Sequence, residues 1–309
     1  MKILITGVHG FVGTNLVRAL SKEHTIYGVD IISPIKEGVR YTFSWDYLDK
    51  EEEIPAVDAI IHLAGKAHDT KNEAAADVYF KVNTDLTKKI YDYYLKSSAK
   101  RFIFFSTAKA AADKVDGVLT EDVVPSPKGP YGESKIAAEK YIQEHLVADK
   151  QVYILRPCMI HGPGNKGNLN LLYGVVRKGI PWPLGAFENR RTFTSIENLC
   201  FVINGLLTRN VPTGIYNMGD DEALSTNELI EEICKSLGKK THIWKLPKGL
   251  MNGVAKIGDA LHLPLDSERL RKLTENYISS NEKIKKALGV EKMPVDSREG
   301  LKTTLESFK

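Results

Sequence analysis

Cysteine is scarce in this chain: three residues in 309, Cys158, Cys200 and Cys234, and no CxxC pair. So odd and sparse a set argues against a disulfide framework or a zinc site. It suits reduced thiols in the cytoplasm, each a small packing residue. Long apolar runs are missing as well. No stretch of about 18 apolar residues occurs, so no transmembrane helix is expected. The N-terminus enters an apolar strand and a glycine turn at once, unlike a signal peptide. Charge of one sign is not in excess: 43 basic and 39 acidic residues give a net +4. That balance argues against nucleic acid or a membrane as a partner. There is no internal repeat and no low-complexity segment.

What is present is an ordinary globular composition, 42% hydrophobic and 27% charged, long enough for one large or two modest domains. Short apolar runs alternate with amphipathic stretches. Strands are expected at Ile3–Ile5, Ile26–Asp30, Ala59–Leu63, Phe102–Phe105, Val152–Leu155 and Ile215–Asn217. Helices are expected to about Ser21, from about Ala74 to Leu95, from Tyr131 to about Leu146, and from about Ile196. Strands spaced by helices are βαβ units and predict an α/β, doubly wound parallel sheet. After Pro157 the rhythm breaks at Gly162, Pro163, Gly164 and Gly167, and a smaller, mostly helical lobe follows. The division expected is 1–165, joined by 192–220, for the sheet domain, with 166–191 and 221–309 forming the lobe.

The first strand runs into Thr6-Gly7-Val8-His9-Gly10-Phe11-Val12-Gly13, a GxxGxxG turn between strand and helix. The first glycine allows the turn, the second lets the backbone approach a pyrophosphate, and the third lets the helix pack on the strand. The N–H groups at the helix start then face the phosphates. Asp30, at the end of the second strand, is placed to accept from ribose hydroxyls and to repel a 2′-phosphate. No arginine follows before Arg40, so NAD is favoured over NADP, a preference that Lys36 softens if its loop folds back.

The GxxGxxG spacing resembles that of the extended short-chain dehydrogenase/reductases, the group of NAD-dependent nucleotide-sugar epimerases and dehydratases. Further marks of the resemblance follow in order. Asp46-Tyr47 is similar to the segment whose aspartate contacts adenine. His62-Leu63-Ala64-Gly65 is similar to the fourth-strand motif beneath the cofactor, and Asn83 to the asparagine of the next helix. The resemblance implies a Rossmann fold, bound NAD, a nucleotide-sugar substrate and a homodimer paired through the helix after the fourth strand and the Tyr131 helix.

Tyr131-Gly132-Glu133-Ser134-Lys135 places tyrosine and lysine one helical turn apart on one face. A lysine ammonium and an oxidised nicotinamide both favour phenolate, so the tyrosine pKa is expected to fall toward neutrality, where a general acid–base works best. Thr107, preceded by a second candidate hydroxyl, Ser106, at the end of the fourth expected strand, aligns with the family hydroxyl that bonds the reacting sugar oxygen. Ala108-Lys109 follows where sugar 4,6-dehydratases of the family carry Asp-Glu, which argues against a dehydratase.

On the substrate side, Arg156-Pro157 and His161-Gly162-Pro163-Gly164 resemble the loop leading into the substrate lobe, with Pro157 beside the cofactor. Asn168 starts the next helix. Arg190-Arg191-Thr192-Phe193 resembles the strand whose arginine grips the nucleotide diphosphate with its planar fork, and Arg191 is preferred by its position before Thr192-Phe193. Arg271, with Arg269 as an alternative, is a second candidate, Leu184 borders the base, and Lys66, His68 and Lys109 stand near the sugar. Three activities compete: an NAD-dependent UDP-sugar 4-epimerase, an NAD(P)H-dependent 4-keto-sugar reductase of surface-polysaccharide synthesis, and a non-catalytic dinucleotide sensor. The presence of both Tyr131 and Lys135 disfavours the last.

Overall fold

The computed structural model describes residues 1–50, 53–67, 75–261 and 265–309. His68 lies outside them. The first half alternates as its pattern predicts: β1 (Lys2–Thr6), α1 (Phe11–Leu20), β2 (Thr25–Val29), β3 (Tyr41–Phe43), β4 (Ala59–His62), α2 (Ala76–Phe80), α3 (Leu86–Lys96) and β5 (Arg101–Phe105). A short α4 (Ala108–Ala111) and β6 (Val118–Leu119) precede α5 (Pro130–Glu144) and β7 (Gln151–Pro157). Then come β8 (Met159–His161), α6 (Asn168–Arg177), β9 (Phe193–Ser195), α7 (Ile196–Thr208) and β10 (Gly214–Met218). The chain ends in α8 (Thr226–Ser236), α9 (Lys248–Leu261), α10 (Ser267–Thr274), β11 (Ile278–Ser279), α11 (Glu282–Leu288) and α12 (Ser297–Glu306).

Seven strands form one sheet in the order β10-β7-β5-β4-β1-β2-β3, every pair parallel. The edge strand β3 is the one the sequence pattern does not signal. It is three residues long, too short to show a period. Strands buried on both faces read as unbroken apolar runs, and side-chain alternation divides them between two cores. Ile3, Ile5, Ile61, Ile103 and Leu155 face Leu16 of α1 and Leu199, Ile203 and Leu206 of α7. Leu4, Ile60, Phe102, Phe104 and Ile154 face Ile90 and Tyr94 of α3 and Ala138 and Ile142 of α5.

A third core, with Leu172, Trp182, Ile233, Met251, Leu270 and Leu305, lies within the helices that follow β8. Two parallel strand pairs, β8–β9 and β6–β11, stitch this part to the sheet. The strand order reverses between β1 and β4, the switch point where open α/β sheets bind ligands beyond the carboxyl ends of their strands.

Between α2 and α3 the rod is not a plain helix. Lys81–Asp85 form a π turn, with Asn83 fully buried inside it. Such turns insert one residue into a helix and cluster at functional sites.

Candidate active site

At the switch point the glycine turn meets the end of β4. Gly7 has a φ of 70°, and a Cβ there would lie 2.9 Å from the Ala64 nitrogen. A Cβ on Gly13 would come as near as 2.8 Å to the Val8 carbonyl oxygen. Both positions therefore require glycine. Gly10 caps α1, whose first intrahelical bond is Thr14 N–H to the Gly10 carbonyl at 2.9 Å. The N–H groups of Phe11, Val12 and Gly13 precede it, at the positive end of the helix.

Asp30 sits one residue past β2. Its carboxylate accepts from the His9 N–H at 3.0 Å and the Ile31 N–H at 2.8 Å. Lys36 does fold back: its ammonium donates to the Thr14 hydroxyl at 2.9 Å. Burial, Arg18 and, in opposition, Asp30 set the Lys36 pKa, with a net lowering. The carboxylate that disfavours a 2′-phosphate thus has a cation for a neighbour. Asp46 stands exposed on the 3-10 turn Trp45–Asp49, where Tyr47 packs on Phe43 with centroids 5.3 Å apart. The glycine cradle, the helix start and the Asp30 carboxylate just past β2 fit a dinucleotide.

A directed chain of hydrogen bonds runs behind this cleft. The Ala64 N–H donates to Thr6 Oγ1 at 3.1 Å, and that hydroxyl pairs with His62 Nδ1 at 2.6 Å. His62 Nε2 pairs with Thr87 Oγ1 at 2.9 Å, and the Thr87 hydroxyl donates to the Asn83 carbonyl at 2.7 Å. Only the Nε2–H tautomer satisfies every link. Burial, then Lys135, holds the His62 pKa well below the ordinary imidazole value. The Asn83 side chain continues the path. Its Oδ1 accepts from the Lys66 N–H at 2.8 Å, and its Nδ2 donates to Ser134 Oγ at 3.0 Å. The Ser134 hydroxyl donates to the Tyr131 carbonyl at 3.0 Å. Asn83 therefore ties the Leu63-Ala64-Gly65 segment to the helix that carries the tyrosine, through a partner, Ser134, that no sequence pattern singles out.

Pro130 occupies the first turn of α5, where its missing N–H costs nothing. Tyr131 and Lys135 follow on the buried side. The Thr107 hydroxyl, which accepts from the Lys109 N–H at 3.3 Å, hydrogen-bonds the Tyr131 phenol. Burial raises the phenol pKa, the Thr107 bond offsets part of the rise, and Tyr79 adds to it. The lowering expected from Lys135 is not found in the chain alone. Its ammonium is drawn to the Phe105 carbonyl at 2.8 Å, and burial takes the Lys135 pKa down to about 8 against the pull of Glu139. The same ammonium packs under Gly65, where a Cβ would lie 3.0 Å from Nζ.

Ser106, the hydroxyl before Thr107, has a buried partner of its own. Its hydroxyl turns under the sheet edge and donates to the Glu139 carboxylate. Glu139 is itself locked to Arg156 at 2.6 Å, with both side chains about 1% exposed or less. A buried ion pair needs further donors for its remaining lone pairs, and Ser106 is one.

Lys109, Arg191 and Arg271, far apart in sequence, meet where α4 faces the lobe. Lys109 donates to the Asp113 carbonyl at 2.7 Å and lies 4.7 Å over the Tyr277 ring. Arg271 pairs with Asp113 at 3.3 Å and Glu275 at 3.2 Å. Arg191 donates to the Lys272 carbonyl; burial depresses its pKa, with Glu275 opposing. Burial pushes the Asp113 carboxyl up, but Lys109 and Arg271 together take it below its ordinary value. Glu275 and Tyr277 carry no sequence signal, since the β6–β11 pairing and the Tyr277 bridge to Arg191 bring them here.

Arg190 instead makes an exposed pair with Glu228 at 2.8 Å, and Arg269 pairs with Asp266 at 3.6 Å. Leu184 is 3% exposed and packs in the third core, its backbone bridged to Lys245. Asn168 stands exposed at the start of α6, and Pro157 ends β7 buried.

The family model for the NAD dependent epimerase/dehydratase family matches residues 3–219. The chain is 34% identical over 269 residues to a UDP-glucose 4-epimerase of Vibrio cholerae, covering 79% of this chain and 78% of that protein. It is 27% identical over 266 residues to the N-acetyl-alpha-D-glucosaminyl-diphospho-ditrans,octacis-undecaprenol 4-epimerase of Escherichia coli O157:H7, covering 81% and 77%. In fold it is similar to the UDP-glucuronic acid 4-epimerase of Bacillus cereus solved with NAD, with a TM-score of 0.77 at 21% identity over 100% of this chain and 98% of the other. A parallel sheet with a glycine cradle at its switch point, and a family model spanning well over half of the residues, place this chain in the NAD dependent epimerase/dehydratase family.

Proposed function

We propose that the chain is a nucleotide-sugar 4-epimerase acting on a UDP-linked sugar with tightly held NAD. The observation that carries this is the Thr107–Tyr131 hydrogen bond at the carboxyl edge of β5, one helical turn from Lys135. Similarity to the Vibrio cholerae UDP-glucose 4-epimerase supports the choice of reaction. Bound NAD supplies a hydride acceptor that later returns the hydride.

Tyr131 takes the proton from the C4 hydroxyl as that carbon is oxidised and returns it on reduction. Thr107 orients the same oxygen, and Lys135 holds the cofactor ribose and favours the phenolate. Gly7, Gly10 and the N–H groups of Phe11, Val12 and Gly13 hold the pyrophosphate, and Asp30 the adenosine ribose. Asp46, Tyr47, Leu63, Ala64, Gly65, Asn83 and Pro157 line the rest of the cofactor cleft. Lys109, Arg191 and Arg271, with Asn168, hold the substrate diphosphate. Residues 166–191 and 221–309 form the substrate lobe, and two chains pair through α3 and α5.

The test is the purified protein's extracted cofactor, with a panel of UDP-sugars assayed without added NAD(H). About one NAD per chain and interconversion at C4 are expected. A chain that instead consumes NADH or NADPH stoichiometrically with a 4-keto sugar is a reductase, the alternative that Lys109 beside Thr107 supports.

A further inference from the structure

Helix α9 carries two apolar faces. Met251, Ala255 and Gly258 are buried against the third core. Leu250, Val254, Ile257 and Leu261 are 55%, 38%, 56% and 64% exposed. At 100° per residue these four fall within an arc of about 60°, roughly a quarter-turn from the buried face. They form a continuous stripe along a 14-residue helix, about 21 Å long. Trp244, 54% exposed, stands in the segment leading into it.

The charge of this region is one-sided. From Ile233 to Gly258 the chain holds Lys235, Lys239, Lys240, Lys245, Lys248 and Lys256 and no acidic residue. Lys245, Lys248 and Lys256 are all exposed. Asp259, the acid on α9, shares the side away from the stripe with Lys248 and Lys256 and is bonded to the Ser267 hydroxyl at 2.6 Å. A net charge of +4 spread over 309 residues conceals this local run.

We infer that α9 and its approach segment dock the lobe on an anionic lipid surface. An apolar stripe on a helix that carries Lys248 and Lys256 on its opposite side, with a tryptophan in the approach segment, is the composition of a helix lying in the headgroup plane. Lysine is depleted at protein–protein interfaces, which makes a protein partner the poorer fit. Each lysine near an anionic leaflet strengthens attachment roughly fivefold. No helix among the described residues is long and apolar enough to cross a membrane, so the contact is with the surface.

The test is flotation of the full chain with vesicles of phosphatidylcholine alone and with 30% phosphatidylglycerol, alongside light scattering for mass. Binding to the anionic vesicles, weakened by salt, is expected. Leu250→Ser/Ile257→Ser/Leu261→Ser, which removes no buried side chain, abolishes it without changing mass or melting temperature. Lys245→Gln/Lys248→Gln/Lys256→Gln weakens it a hundredfold or so by the same arithmetic. No vesicle binding, or binding that survives both sets of changes, overturns the inference. So does a drop in mass on removal of the stripe, which assigns it to a second copy of the chain. None of these readouts depends on the reaction the chain catalyses.

Discussion

Tyr131, Thr107 and Lys135 are three side chains in one hydrogen-bonded corner, and their contributions are separable. Tyr131→Phe is expected to lower turnover by about 10²–10⁴-fold, the range for a lost general acid–base, while the extracted cofactor stays the same. Turnover near that of the parent would remove the phenol from the mechanism. Lys135 gives a pH signature. Its folded pKa of about 8 lies below the ordinary lysine value of 10.5, so the unfolded chain binds more protons between these limits. Stability contributed at this position therefore rises as pH climbs from about 8 to 10.5 and is at its lowest below 8. Melting curves of the parent and Lys135→Met at pH 7 and pH 10 read the difference: the parent should gain on the variant at the higher pH. A parent that loses ground to the variant at the higher pH would show that the ammonium is not desolvated.

The element on which the site most depends is the π turn between α2 and α3. An uninterrupted α-helix would rotate Asn83 by about 100° and break its bonds to Lys66 and Ser134. Asn83→Ala strips the half-buried Lys66 N–H of its acceptor and the buried Ser134 hydroxyl of one donor, with a cost of about 1–3 kcal/mol. It should also loosen the join between β4 and α5. Urea denaturation measures the first effect, and a fall in kcat greater than the rise in KM reports the second, because the change acts through Tyr131 rather than on substrate. An increase in KM alone would make Asn83 a substrate contact. The neighbouring chain through Thr6, His62 and Thr87 carries a neutral imidazole, which is why a histidine is compatible with complete burial there.

In the whole molecule, the sheet domain and the helical lobe meet at a cluster of cations balanced by Asp113 and Glu275. Diphosphate binding at this seam would compete with the carboxylates for Arg271. Arg271→Ala is therefore expected to raise the KM for the nucleotide sugar about tenfold with little change in kcat, the pattern of lost uniform binding. The NAD content should not change. Steady-state kinetics decides it, and a loss confined to kcat would place Arg271 at the chemistry instead. Lys140 and Glu144 stand exposed on α5, and Lys88, Lys89 and Asp92 are half-buried on α3, so this surface is charged. Pairing through these helices should then weaken with salt.

Local patterns in the chain were enough to determine the strands of the sheet other than β3, the glycine turn, Asp30 at the end of the second strand, and the helical spacing of Tyr131 and Lys135. Each depends on neighbours within about a dozen residues, where periodicity and turn chemistry act. Tertiary structure alone decided the remainder. It turned Ser106 toward Glu139, because a buried carboxylate needed a donor, and it buried Leu184. It joined Lys109 to Glu275 and Tyr277 through a strand pair closed across 160 residues. Long-range pairing of this kind leaves no local signature, since its free energy comes from burying two distant segments together.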